Sequence, residues 1–85
     1  ITAPYEFKKI AYPSGTRLVL FTDGIVEQKN AGREEYGMAR FESVLAELRS
    51  ENPALVLSEV YRRVVEFSGT DKFSDDVTLL ITDLP

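Results

Sequence analysis

At 85 residues, 44% of them hydrophobic and 28% charged, the chain is long enough for one small folded domain and too apolar for disorder. Its net charge of −4, from 10 Lys+Arg against 14 Asp+Glu, disfavours nucleic acid as a partner, because no basic stripe is available to displace phosphate counterions. With no cysteine and no histidine it excludes disulfides, thiolate zinc sites, Cys nucleophiles and imidazole acid–base chemistry, and leaves carboxylates, hydroxyls, Lys and Arg.

Tyr5 to Tyr12 is rich in aromatic and β-branched residues, but adjacent Lys8 and Lys9 interrupt its alternation, which predicts a strand at or near a sheet edge. Pro13-Ser14-Gly15-Thr16 predicts a tight turn and hence a hairpin. Its second strand, Arg17 to Thr22, contains the unbroken run Leu18-Val19-Leu20-Phe21, the pattern of a strand covered on both faces. Ile25 to Gln28 can form a helical turn or two before Asn30-Ala31-Gly32 breaks it, and Arg33-Glu34-Glu35 reads as a charged loop. Phe41, Val44, Leu45 and Leu48 then fall at helical spacing on one face. Asn52 and Pro53 suit the N-cap and first position of a second helix, with its apolar stripe on Leu57, Val60, Tyr61, Val64 and Phe67 and its end at Ser68-Gly69. A polar loop, Gly69 to Asp76, leads into a third strand over Val77 to Ile81. The order β-β-(short α)-α-α-β predicts an α+β fold, a largely antiparallel sheet covered on one face by two consecutive helices. No stretch is long enough to span a membrane, so no membrane contact is expected.

Acidic residues stand where strands meet loops: Asp23 ends one apolar run, and Asp75-Asp76 precede another. If these strands are antiparallel neighbours, the end of one lies beside the start of the other and the carboxylates meet. Strand parity then lets only one of Asp75 and Asp76 aim at the same centre as Asp23. Gly24, without a Cβ, permits an unusual turn or a close approach. Two readings of these residues stand side by side. Asp23-Gly24 can be a turn or an N-cap and Asp75-Asp76 a solvated loop, or the carboxylates can be oxygen ligands for a hard cation such as Mg²⁺ or Mn²⁺.

The phrase "SGTRLVLFTDGIVEQKNAGREEYGMARF", followed later by "SDDVTLLI", resembles the C-terminal part of the metal-dependent serine/threonine phosphatases of the type 2C superfamily. The closest branch is the bacterial one of stage II sporulation protein E and the sigma-factor-regulating U-type phosphatases. The resemblance runs from about Tyr5 to Thr82 and includes the link Asn30-x-Gly32-x-Glu34-x-Tyr36-Gly37. It implies a four-layer α-β-β-α sandwich in which acidic side chains hold two Mg²⁺ or Mn²⁺ ions. By position, Asp23 and Asp75 match metal ligands, while Gly24 and Asp76 match supporting positions and no catalytic residue stands apart from the ligands. In such phosphatases a metal-bound water attacks a phosphoserine or phosphothreonine in line, without a phosphoenzyme.

The remaining ligands of that family lie in the N-terminal half of its domain. The chain, which opens on Ile1 without a signal-peptide pattern, is accordingly expected to be the C-terminal portion of one phosphatase domain, residues 1–85, inactive alone and a weak cation binder. The resemblance further implies a cytoplasmic protein acting on a phosphorylated protein such as an anti-anti-sigma factor, in sigma-factor, stress or sporulation signalling. Halving the domain is expected to uncover apolar surface and strand edges and so to promote homodimers. The alternative is a noncatalytic module of the same fold that binds a partner or senses. A haloacid-dehalogenase site is excluded, since the position of its nucleophilic aspartate is Phe21. A receiver domain is a poor match to a hairpin followed by two consecutive helices.

Overall fold

The computed structural model of the chain describes residues 5–12 and 15–84. Its elements are β1 (Tyr5–Tyr12), β2 (Gly15–Thr22), α1 (Asp23–Val26), α2 (Gly37–Glu47), α3 (Pro53–Ser68) and β3 (Leu79–Leu84). Of the expected turn, Pro13 and Ser14 lie outside the described residues, and Gly15 and Thr16 open β2. The strands form one antiparallel sheet in the order β1-β2-β3, with Tyr12 opposite Gly15 and Phe21 opposite Leu79. This is the α+β architecture that the sequence predicts, with β1 at an edge.

Alternation along β2 explains the core. Val19 and Phe21 point to the helical side and are fully buried, and their cross-strand partners Ile81 and Leu79 pack against the same cluster. The ring of Phe21 meets Phe41 of α2 at 4.8 Å between centroids, tilted by 59°, a geometry worth about 0.5–1.5 kcal/mol beyond burial alone. Phe41, Val44 and Leu45 form the buried face of α2, as their spacing predicts.

Three expectations need correction. The run Leu18 to Phe21 is covered on one face only: Leu18 and Leu20 are half-buried, and on the same outer face Leu80 is 55% and Leu84 42% exposed, because both long helices lie on the other side. On α3 the buried line is Val56, Val60 and Val64, whereas Leu57 and Tyr61 lie at its margin, Tyr61 53% exposed. The rotation follows from which side of the helix meets β3, something periodicity alone leaves free. The third strand begins at Leu79 rather than Val77, because its partner strand ends at Thr22 and the ladder starts at Phe21.

The ends of α3 follow local chemistry. Asn52 is extended (φ −70°, ψ 159°) and its side chain accepts the Leu55 N–H at 2.9 Å, with Pro53 at the first helical position. Gly69 closes the helix at φ 78°, a left-handed conformation costly for any other residue.

Arg17 is the unusual member of the inner face, only 3% exposed and in line with Val19 and Phe21. Its Nε donates to Asp83 Oδ1 at 2.6 Å, and the guanidinium also donates to the carbonyls of Leu48 and Glu51, tying β2 to β3 and to the α2–α3 connection. Arg17 holds the Asp83 carboxyl below its ordinary value of 3.8. Because that value is depressed in the folded state, the contribution is present above the ordinary value and lost as pH falls below it. Arg17→Met keeps the apolar stem but removes the donor to Asp83 and to the Glu51 carbonyl, and should lower the urea midpoint, with a weaker loss of stability than in the parent as pH falls below the ordinary value of Asp83.

Candidate functional site

Thr22 is the N-cap of α1, extended at φ −101° and ψ 160°, yet its hydroxyl does not cap the helix. It accepts the Thr78 N–H at 2.9 Å and donates to the Asp76 carbonyl at 3.1 Å, while the Thr22 N–H donates to the Thr78 carbonyl at 3.1 Å. Thus the end of β2 is stitched to the segment that leads into β3. The main chains of Thr22-Asp23-Gly24 and Asp76-Val77-Thr78 therefore run side by side, as antiparallel neighbours require.

Gly24 is buried in this crossing. A Cβ built on it would lie 2.3 Å from the Asp76 carbonyl oxygen, 3.0 Å from its carbon and 3.1 Å from Val77 Cγ2. The glycine is therefore required by the close passage of another main chain, not by its own backbone angles.

Asp23 is half-buried at the start of α1, and among the described residues its carboxylate makes no hydrogen bond or ion pair. It is not spent on capping. Asp75 and Asp76 are exposed, and Asp75 Oδ1 accepts the Asp76 N–H at 2.8 Å. Asp75 lies in a bend and Asp76 just after it, both outside the strand that begins at Leu79, so strand parity does not decide between them. The structure thus brings Asp23-Gly24 against Asp76. Carboxylates and main-chain carbonyls are suitable donors in kind for a hard cation. In number they fall short, since among the described residues no three acidic side chains gather closely enough to hold a metal ion.

The link between α1 and α2 folds as a small loop of its own. Asn30 Oδ1 accepts the Glu34 N–H at 2.9 Å, the Asn30 N–H donates to the Glu34 carbonyl at 3.0 Å, and Lys29 pairs with Glu35 in an isolated bridge. Tyr36 then turns inward, only 4% exposed, edge-on to Phe67 of α3 at 5.5 Å. Arg40 stacks over the same Phe67 ring at 4.5 Å and donates to the Glu35 and Tyr36 carbonyls. Burial pushes the Tyr36 phenol up, with Arg63 and Arg40 opposing.

The family model described as Stage II sporulation protein E (SpoIIE) matches residues 2–85. The chain belongs to the SpoIIE family. At the level of the family, that places it among phosphatases of the type 2C class. No curated protein and no solved structure matches the SpoIIE-family chain. Among its described residues no helix is long and apolar enough to cross a membrane.

Sequence reasoning missed Thr22, Gln28 and Arg17 as organising residues. For Arg17 the signal was available: it alternates with Val19 and Phe21 and so shares their buried face. Thr22 and Gln28 carry no such signal, because their partners lie far along the chain.

Proposed function

We propose that the protein carrying this chain is a Mg²⁺- or Mn²⁺-dependent phosphoserine/phosphothreonine protein phosphatase, with Asp23 and Asp75 as metal ligands and residues 1–85 as the C-terminal portion of its catalytic domain. The observation that carries the reading is the stitched crossing of Thr22 to Gly24 with Asp76 to Thr78, beside an Asp23 carboxylate that makes no hydrogen bond or ion pair among the described residues. A divalent cation, when bound, supplies an acidified water and positive charge for the phosphoryl oxygens, which suits a chain without Cys or His. The chain's own part is to present carboxylates from the end of β2 and from the segment that leads into β3, while Gly24 and Asp76 shape the ground between them. Its substrate is a phosphorylated protein in the cytoplasm, the anti-anti-sigma factor class being the one that the resembling branch uses, in sigma-factor, stress or sporulation signalling.

In the full protein, release of phosphate from a phosphoserine peptide should require Mn²⁺ or Mg²⁺ and stop with chelator. Turnover that survives chelation would overturn the metal reading, and no turnover at any metal concentration would favour the noncatalytic alternative. The 85-residue chain alone should stay inactive on p-nitrophenyl phosphate with Mn²⁺, and metal-dependent turnover by it would refute the assignment as an incomplete site. In isolation this chain should also form homodimers through the outer sheet face of Leu18, Leu20, Leu80 and Leu84. Sedimentation that remains monomeric at high concentration would count against that.

A further inference from the structure

The sheet ladder stops at Phe21 and Leu79, yet the chain before β3 remains fixed for several residues further. Two buried polar side chains extend it. Gln28 is 3% and Thr22 6% exposed. Gln28 Nε2 donates to the Lys72 carbonyl at 3.1 Å, and its Oε1 accepts the Ser74 N–H at 3.2 Å and the Ser74 hydroxyl at 3.4 Å. Thr22 Oγ1 takes over at the Asp76 carbonyl and the Thr78 N–H, 3.1 and 2.9 Å away. The anchored residues are 72, 74, 76 and 78, every second position, as if each side chain replaced one rung of a missing strand. Asp75 is the residue between the two clamps.

We infer that Gln28 is a positioning residue for the acidic step Asp75-Asp76, setting its place against Asp23 from one side as Thr22 does from the other; its role toward a cation rests on the metal-site reading above. The chemistry favours the assignment. β2 leaves the sheet at Thr22 to enter α1, and among the described residues no main-chain-to-main-chain hydrogen bond reaches residues 72 to 76. Phe73 packs against the core and the Tyr61 ring from within this loop, but its polar main chain is held by the groups that bond it, and a buried amide that both donates and accepts can fix two residues at once. Supporting contacts of this kind typically change metal affinity by about 10- to 100-fold when removed.

The test compares Gln28→Met, similar in length but unable to bond either partner, with Val44→Ala, which opens a small core cavity on α2 away from the loop, in the full protein. Mn²⁺ affinity is read by electron paramagnetic resonance of the free ion, and amide hydrogen exchange is followed without metal. Gln28→Met should weaken Mn²⁺ binding about 10-fold or more and speed exchange at Ser74, while Val44→Ala leaves both unchanged at a comparable loss of melting temperature. Equal weakening in the two variants would make Gln28 merely structural and overturn the inference, as would unchanged exchange at Ser74 in Gln28→Met. If the parent itself binds no Mn²⁺, the metal reading falls, and the exchange comparison still decides whether Gln28 positions the loop.

Discussion

Gly24→Ala is expected to lower the metal-dependent rate of the full protein by about 100-fold and to destabilise the fold, although helix propensity alone points the other way. Gly24 lies within α1, where alanine is ordinarily better by about 1 kcal/mol. The added Cβ would stand 2.3 Å from the Asp76 carbonyl oxygen, and that oxygen belongs to a main chain held by the Thr22 hydroxyl. No side-chain rotation relieves the clash. The two segments must separate by about 1 Å to reach ordinary contact, an overpacking cost of about 1–3 kcal/mol. A displacement of that size at reacting groups costs roughly 100-fold in rate. Thermal melts and phosphopeptide kinetics check both parts. A Gly24→Ala protein that melts higher than its parent would mean that propensity outweighs the crossing.

The second large effect separates the aspartates. Asp23→Asn and Asp75→Asn should each reduce the metal-dependent rate on the order of 1,000-fold, equivalent to the several kcal/mol of charge stabilisation that a catalytic cation provides. Both changes preserve shape, and an asparagine at position 75 can still accept the Asp76 N–H through its side-chain oxygen, so melting temperatures should hold within a few degrees. Asp76→Asn should stay within about tenfold of the parent, because the Asp76 groups that the fold uses are its main-chain carbonyl and N–H. A loss at Asp76→Asn equal to that at Asp75→Asn would exchange the roles of the two. The comparison matters because both residues precede the strand, which removes the parity argument that allowed only one of them.

The elements that local chemistry dictates are the ones the sequence made legible. Asn52-Pro53 and Gly69 bound α3 as their backbone preferences require, and Phe41, Val44 and Leu45 disclose the buried side of α2. Elements whose limits depend on a partner were less legible. The apolar run of β2 does not reveal that helices lie on one face only, and Val56 outranks Leu57 in the core because of how α3 is turned against the sheet. The start of β3 is fixed by where β2 ends, not by Val77 itself. At the candidate site, the juxtaposition of Asp23-Gly24 with Asp76 follows from adjacent antiparallel strands and was readable in outline. The polar clamps were not, since a glutamine after a short helical turn looks like any solvated residue until Lys72 and Ser74 are folded against it.

The turn after α3 offers a practical handle. Gly69, Thr70 and Asp71 are exposed and lie before the first carbonyl that Gln28 holds, that of Lys72. Residues spliced in at Thr70 would lengthen a surface bulge whose closure entropy grows only slowly with length, while the fastening downstream keeps its grip. A fluorescent reporter inserted there could follow the protein in a living cell without prising the acidic segments apart.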